Sequence, residues 1–508
     1  MAEKILVRGV NWIGDAVMSQ PALTALKKAL PDARLSLLVR PSVARLFETD
    51  PYIDELISYE DEFAGLMGRL RLANMLRKKE FSRAILFQNA FDAALIAFLA
   101  GIPERIGYNR DGRGFMLSQK IPCSGNDRKI HHIEYYLNII RAMGLETVAS
   151  APRIFLEMKE RTSALLKLSE MNRPILGLNP GAAYGSAKRW QPDRFAGIAS
   201  RFMEDAAGSV VIFGGSNEVP VTQEIEEAVI RQGMVSNARI MNLAGRTSLR
   251  QLAALIACCD TLVTNDSGPM HISYAVGTPT VAVFGSTDPA LTGPVGRGHS
   301  VVRSAVPCSP CFERTCKYKT LECMDGIMEA EVYAALKGVL PTRRAVFFDR
   351  DGTLCKDAHY LNNWKDLELL PGLENLRRLK DNRFLLIGVS NQSGIARGLV
   401  EEGFVKEVNK VFTDKFGLDE MYYCPHGPDE HCACRKPEPG MLANARAGHG
   451  IIFSNSYVVG DKDADMLLAK AVGAKGILVL TGKQIESRFA DYTVKGLREA
   501  VDLIIANG

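Results

Sequence analysis

The run Ala345-Val-Phe-Phe-Asp349-Arg-Asp351-Gly-Thr353-Leu ends an apolar stretch in two carboxylates spaced one residue apart. Successive side chains of a strand point to opposite faces, so the pair converges only if the chain leaves the sheet at Asp349. Gly352 permits that curl. Two carboxylates so placed can divide the work of nucleophile and acid/base. Three further polar stations follow, at Ser390-Asn391, Arg435-Lys436-Pro and Gly460-Asp461-Lys-Asp-Ala-Asp465. Gathered at one sheet edge, they would supply carboxylates for a magnesium ion, a hydroxyl and amide for phosphoryl oxygens, and a fixed cation. Phosphoryl transfer needs that set.

Between the second and third stations lies Cys424-Pro-His426-Gly-Pro-Asp-Glu-His431-Cys432-Ala-Cys434. Two close pairs of soft ligands around a short polar loop suit a tetrahedral zinc, with Cys424, His426, Cys432 and Cys434 as ligands and His431 spare. Such a zinc would pin the loop without joining the chemistry. A second, more widely spaced set, Cys308, Cys311, Cys316 and Cys323, leaves metal binding open.

Two stretches far upstream also invite chemistry. Asn265-Asp266-Ser267-Gly268-Pro-Met-His271 places small residues where a strand passes into a helix, an anion site suited to a diphosphate. Asn179-Pro-Gly181-Ala-Ala-Tyr-Gly185-Ser-Ala-Lys188-Arg189-Trp190 adds a loop carrying cations. Near the start, Trp12-Ile-Gly14-Asp15 opens a helix, where an aspartate ordinarily caps. The absence of a G-x-G-x-x-G run argues against a dinucleotide site.

The elements that must hold these residues alternate between apolar strand-like runs and helical patterns, which predicts parallel sheets covered by helices. Three sets are legible: residues 1–165, 166–340 and, after Pro341, 341–508. Each strand-like run of the second set passes into Gly, Asn, Asp or Ser, so its polar loops belong at a sheet's carboxyl edge. A basic loop with Arg105, Arg110, Arg113, Lys120, Arg128 and Lys129 interrupts the first set. It is either a binding surface for acceptor phosphates and acidic sugars or a solvated charged loop.

The third set resembles the haloacid dehalogenase superfamily. The resemblance implies Asp349 as nucleophile and Asp351 as acid/base, with a magnesium site of Asp349, Asp461 and the Asp351 carbonyl. It also implies Ser390, Asn391 and Lys436 on the phosphoryl group and Asp465 in support. With the zinc loop and Ser390-Asn-Gln-Ser-Gly-Ile-Ala-Arg397, it is similar to the D-glycero-D-manno-heptose 1,7-bisphosphate 7-phosphatases, Arg397 and Arg435 meeting the second phosphate. The histidinol phosphatases share the loop and stand as the alternative.

From Lys4 to about Leu340, W-I-G-D, G-A-x-x-G-x-A-K-R-W and N-D-S-G-x-x-H resemble the bacterial ADP-heptose:lipopolysaccharide heptosyltransferases, heptosyltransferase II in particular. This implies a GT-B pair of Rossmann-like lobes, acceptor side first and ADP-heptose side second. Asp15 is then the general base, while Lys188, Asp266, Ser267, Gly268 and His271 surround the departing ADP. The acceptor would be a lipid A-core at the inner face of the membrane. Addition of the first heptose, or a non-catalytic nucleotide-sugar scaffold, are the other readings.

Composition agrees with this placement. The 508 residues exceed what one core accommodates, and a net charge of +4 gives no case for nucleic acid. Met1-Ala-Glu-Lys runs straight into Ile5, leaving no room for a secretory signal, and no apolar run reaches bilayer length. The expectation is a cytoplasmic protein, peripheral at the inner membrane, with its eleven cysteines as thiols or ligands.

Overall fold

A computed structural model describes residues 3–123, 129–147, 150–231 and 239–507. Three six-stranded sheets carry the chain. The first holds β1 (Lys4–Arg8), β2 (Arg34–Val39), β3 (Glu55–Ser58), β4 (Arg83–Leu86), β5 (Glu104–Tyr108) and β6 (Gln119–Ile121). The second holds β7 (Ile175–Asn179), β8 (Ser209–Ile212), β9 (Ile240–Asn242), β10 (Thr261–Asn265), β11 (Thr280–Phe284) and β12 (His299–Arg303). The third holds β13 (Arg344–Phe348), β14 (Phe384–Asn391), β15 (Glu420–Cys424), β16 (Tyr457–Gly460), β17 (Lys475–Val479) and β18 (Tyr492–Val494).

All three sheets share one strand order: β3-β2-β1-β4-β5-β6, β9-β8-β7-β10-β11-β12 and β15-β14-β13-β16-β17-β18. The pairing is parallel, as in Val7↔Ile85, Val263↔Leu178 and Phe348↔Val459. In such a sheet the winding reverses between the first and fourth strands, and the loops leaving their carboxyl ends open into a crevice. Asp15 follows β1, Lys188 follows β7, and the 266–271 segment follows β10. Asp349 and Asp351 follow β13, and Asp461 follows β16.

Helices bury both faces of the third sheet. Val346, Phe348, Leu386, Val459 and Ile477 join one apolar cluster, while Ala345, Phe347, Leu385, Ile387 and Val458 join the other. The alternation along β13 is the period-two pattern of a strand buried on both sides. The first sheet is anchored on one face by Leu6, Leu38, Ile57, Ala84 and Leu86 against Leu72, Ala73, Leu76, Ala94 and Ala97. Among the described residues, no helix is long and apolar enough to cross a membrane.

Two compact units emerge: Met1–Glu157 with Leu176–Gly338, and Met158–Ile175 with Val339–Gly508. Residues 158–175, read from sequence as the junction of the first two sets, thus group with the third. The reason is packing. The helix Met158–Lys167 lies against the helix Asp463–Val472, and Leu165 sits where a Cβ on Gly473 would meet it at 3.1 Å. Gly473 has φ +75°, so the close approach and the left-handed turn coincide there. We expect Leu165→Asp to destabilise the second unit by about 1–3 kcal/mol by placing a carboxylate in this contact. The check is the urea midpoint of that unit's unfolding in the full chain; an unchanged midpoint refutes the packing role.

Candidate active sites

The carboxyl edge of the third sheet gathers a single polar network. Lys436 Nζ, 5% exposed as a residue, lies 2.6 Å from Asp349 Oδ1, 2.6 Å from Asp465 Oδ1 and 2.9 Å from the Val389 carbonyl. Burial works against the charge on Lys436, yet Asp349 and Asp465 outweigh it and raise its pKa. Asp349 Oδ1 also accepts the Arg350 backbone N–H at 2.8 Å. Asp351 is clamped on both oxygens. The Arg350 guanidinium donates to Oδ1 at 3.1 and 3.0 Å, while Gln392 Nε2 (2.6 Å) and Ser390 Oγ (3.3 Å) donate to Oδ2.

Asp461 is the exception. Both of its carboxylate oxygens are buried without a hydrogen-bond donor, and the nearest ammonium, Lys462 Nζ, stands 3.6 Å from Oδ2. Burial first, then the Asp349 charge, pushes its pKa up to about 7. Ligand oxygens of Asp349, Asp461 and Asp465 lie within 4.8 Å of one another. Three buried carboxylates face two ammoniums, Lys436 between Asp349 and Asp465 and Lys462 at 3.6 Å from Asp461, which leaves a deficit of one positive charge, and hard oxygen donors suit magnesium. Gly352, at φ +99°, makes room for Asp461, because a Cβ there would fall 2.4 Å from Oδ2.

The remaining residues expected here take other places. Asn391 braces Lys436 rather than facing the carboxylates: its Oδ1 accepts the Lys436 N–H at 2.9 Å and its Nδ2 donates to the Lys436 carbonyl at 3.2 Å. Arg397 is exposed and donates to Tyr360 Oη at 2.8 Å. Arg435 donates to the His426 carbonyl at 3.4 Å. Lys462 Nζ is 3.5 Å from the Asp351 carbonyl. Arg350, Gln392 and Lys462 were not singled out from sequence, although each stands beside a residue that was.

Cys424, His426, Cys432 and Cys434 come together, with neighbouring ligand atoms 3.2–3.6 Å apart. Tetrahedral zinc with bonds of about 2.3 Å to sulfur sets ligand edges of about 3.8 Å, close to this spacing. His431 is exposed and outside the cluster. The second cysteine set is not gathered to that degree among the described residues, yet Cys308, Cys311 and Cys316 add to burial in raising the Cys323 pKa, while the backbone N–H of Leu321, with those of residues 318–320, lowers the pKa of the Cys316 thiol.

In the first unit, two helix starts meet. Asp15, in the first turn of Ile13–Ala29, does not cap; its Oδ1 is 3.3 Å from His132 Nδ1, and its charge adds to burial in raising the pKa of the nearby Tyr136 hydroxyl. A Cβ on Gly14 would fall 2.7 Å from the His271 ring, so only glycine lets these starts approach. His271 Nδ1 and Tyr274 Oη share a hydrogen bond of 2.9 Å. Its burial drives its pKa down to about 4, which keeps the ring neutral. Lys188 Nζ sits 2.5 Å from Asp266 Oδ2, which also accepts from Thr287 Oγ1 at 2.6 Å. Asn179 Nδ2 donates to Ser267 Oγ at 3.1 Å, just ahead of Gly268 and the helix Gly268–Ala275. His132, Tyr136 and Thr287 had no sequence signal, since each reaches the site from a distant element.

The basic loop divides. Arg105 donates to the carbonyls of Met116 (2.5 Å) and Pro103 (2.9 Å), and fully buried Arg113 to Tyr108 (3.1 Å) and Asn89 (3.1 Å). These two are internal struts, because each guanidinium satisfies oxygens the loop would otherwise bury. Lys120 and Lys129 are exposed, and Arg128 lies outside the described residues.

The glycosyltransferase family 9 (heptosyltransferase) profile matches residues 69–322. The chain belongs to this family. A HAD-hydrolase-like profile matches residues 433–500. Lipopolysaccharide heptosyltransferase 2 of Escherichia coli K12 is 31% identical over 312 residues, 59% of this chain and 88% of that protein. The D-glycero-beta-D-manno-heptose-1,7-bisphosphate 7-phosphatase of Helicobacter pylori J99 is 34% identical over 179 residues, 33% of this chain and 99% of that protein. The solved structure of E. coli ADP-heptose lps heptosyltransferase II aligns with TM-score 0.57 and 29% identity, covering 66% of this chain and 98% of that one. A family 9 glycosyltransferase with a GT-B fold and a HAD-like phosphatase are therefore joined in one chain.

The neutral His271 has a consequence for stability. Its pKa falls from 6.5 in the unfolded chain to about 4, so between those values the unfolded state binds more protons. Stability of the first unit should then rise with pH through this window, by on the order of 3 kcal/mol for His271. His299, also buried and lowered to about 4, adds to the same trend. Urea midpoints at pH 4.5 and 7 should differ less in His271→Gln than in wild type; an equal difference contradicts a neutral, buried His271.

Proposed function

We propose that the chain carries two activities of lipopolysaccharide heptose assembly. Its first part moves heptose from ADP-heptose to a heptosyl-Kdo-lipid A acceptor, with the acceptor on the 1–165 lobe and ADP-heptose on the 166–340 lobe. Its 341–508 part removes the 7-phosphate of D-glycero-D-manno-heptose 1,7-bisphosphate. The observation that carries the second activity is the pair of orphaned Asp461 oxygens beside Asp349. Heptose is favoured as the common substrate because the relatives of the two parts, matched over separate segments, are both named for it.

In the phosphatase, a carboxylate oxygen of Asp349 attacks phosphorus while the bond to O7 breaks and Asp351 gives its proton to O7. Water then attacks the aspartyl-phosphate as Asp351 takes its proton, and phosphate leaves. Lys436 orients Asp349, and the Arg350 and Gln392 clamps hold Asp351 in one rotamer. Magnesium held by Asp349, Asp461 and the Asp351 carbonyl would neutralise the phosphoryl oxygens. Zinc at Cys424, His426, Cys432 and Cys434 would fix the loop that leads into Arg435 and Lys436. Arg397 and Arg435 are the cations available to the 1-phosphate.

In the transferase, Asp15 takes the proton of an acceptor hydroxyl as its oxygen attacks the anomeric carbon and the bond to ADP breaks on the opposite face. His132 holds Asp15 in place. Lys188 and the N–H groups at the start of Gly268–Ala275 receive the charge of the departing ADP.

Asp349→Asn should lower phosphate release from heptose bisphosphate by about 10³-fold or more while leaving zinc content, read by metal analysis, equal to wild type. Preference of the wild-type chain for histidinol phosphate would replace the substrate named here. Asp15→Asn should retain ADP-heptose binding by calorimetry yet abolish transfer to a heptosyl-Kdo-lipid A acceptor. Undiminished transfer removes Asp15 as the base, and transfer to an acceptor lacking heptose moves the reaction to the first addition.

A further inference from the structure

A cavity of about 610 Å³ opens at the amino edge of the third sheet. Four cations line it. Arg343 and Arg344 lead into β13, Lys380 lies in the last turn of the helix Leu376–Asp381, and Arg383 stands just ahead of β14. Thr342 and Asn455 add a hydroxyl and an amide. The strands are parallel, so the residues that precede β13, β14 and β16 meet at this edge, as those that follow them meet at the other. Four strand rises, about 13 Å, separate Arg344 from Phe348, so the cavity lies outside the Asp349 network.

The charge in this lining is not balanced. Its acidic residue, Asp419, is engaged twice: Oδ1 is 3.1 Å from Lys380 Nζ, and Oδ2 accepts the Leu386 N–H at 2.8 Å. Arg344 donates to the Asn382 carbonyl at 2.9 Å and lies over Phe384, its Cζ 4.2 Å from the ring centroid. Cations beside the carbonyl end of a helix are ordinary, and Lys380 and Arg344 are explained that way. Arg343 and Arg383 are not. Among the described residues, neither guanidinium has a hydrogen bond or a carboxylate partner, and both residues are exposed. Arg383 also sits at φ +62° in the turn that ends the helix, a position glycine ordinarily fills. The turn itself gives no reason for an arginine there.

A guanidinium presents a planar fork of donors that pairs with two phosphoryl oxygens at once. Three such forks exceed what a single phosphoryl group needs, and the volume is that of a site for a small organic ligand. We propose that this cavity binds a diphosphate-bearing small molecule, with Arg343 and Arg383 on its oxygens and Arg344 beside them. The site is separate from both active sites and stands or falls apart from the reactions proposed for them.

The test is calorimetric titration of the full-length protein with inorganic pyrophosphate and, separately, with ADP, in magnesium-free buffer. Wild type should bind one more equivalent of pyrophosphate than the double variant Arg343→Gln, Arg383→Gly. Each single substitution should weaken that equivalent by about tenfold, as expected for a lost hydrogen bond between charged groups. Because glycine suits the turn, Arg383→Gly should do so without lowering the melting temperature. Lys406→Gln, which removes an exposed charge elsewhere on the same unit, should bind as wild type does. ADP that fills the same extra equivalent extends the ligand to nucleoside diphosphates, and ADP that leaves it open confines the site to smaller diphosphates. Equal stoichiometry in wild type and the double variant, or an equal loss in Lys406→Gln, overturns the proposal and leaves a solvated basic face.

Discussion

Parallel strands in the order 3-2-1-4-5-6 impose one constraint three times in this chain. Their carboxyl ends share an edge, and the first and fourth strands lie side by side where the winding reverses. Residues separated by more than a hundred positions, such as Asp349 and Asp461, therefore become neighbours without any sequence proximity. The same rule brings Lys188 to Asp266, 78 residues on. The clusters around Asp349, around Lys188 and around Cys424 are each products of that edge.

Within the third sheet's edge, charge balance decides the detailed arrangement. Three carboxylates buried together repel, and the two nearby ammoniums do not neutralise them all. Lys436 settles between Asp349 and Asp465, with its backbone gripped by Asn391. Asp461, with only Lys462 Nζ 3.6 Å away, keeps both oxygens without donors, and burial first, then the Asp349 charge, raises its pKa. Asp351 avoids the conflict by turning toward Arg350 and Gln392. The first unit solves a related problem differently, by burying His271 until it is neutral beside the Lys188–Asp266 pair.

The fold class was legible because strand-like apolar runs and helical patterns alternate over the whole chain, and because each run ends in turn-forming or polar residues. The positions of Asp349, Asp351, Ser390 and Asp461 were legible for the same reason, as polar residues stationed at strand ends, whereas Lys436 lies in the loop between β15 and the helix Gly440–His449. The zinc-type cluster was legible from local spacing, which needs no tertiary information when four ligands fall within eleven residues, from Cys424 to Cys434. Arg105 and Arg113 were misleading. A guanidinium reads as a surface charge until the oxygens it satisfies are known, and those lie both in the loop, on Tyr108 and Met116, and outside it, on Pro103 and Asn89.

The sequence by itself determined the alternation of elements, the identity of the strand-end residues and the grouping of soft ligands, since all three depend on local periodicity and spacing. Only the tertiary structure decided that His132 meets Asp15, that Arg350 and Gln392 clamp Asp351, and that Asn391 braces the Lys436 backbone. It also decided that the helix Met158–Lys167 packs with the third sheet's unit. Those outcomes turn on which donors remain unsatisfied once the chain is compact, a quantity that exists only after distant elements have met.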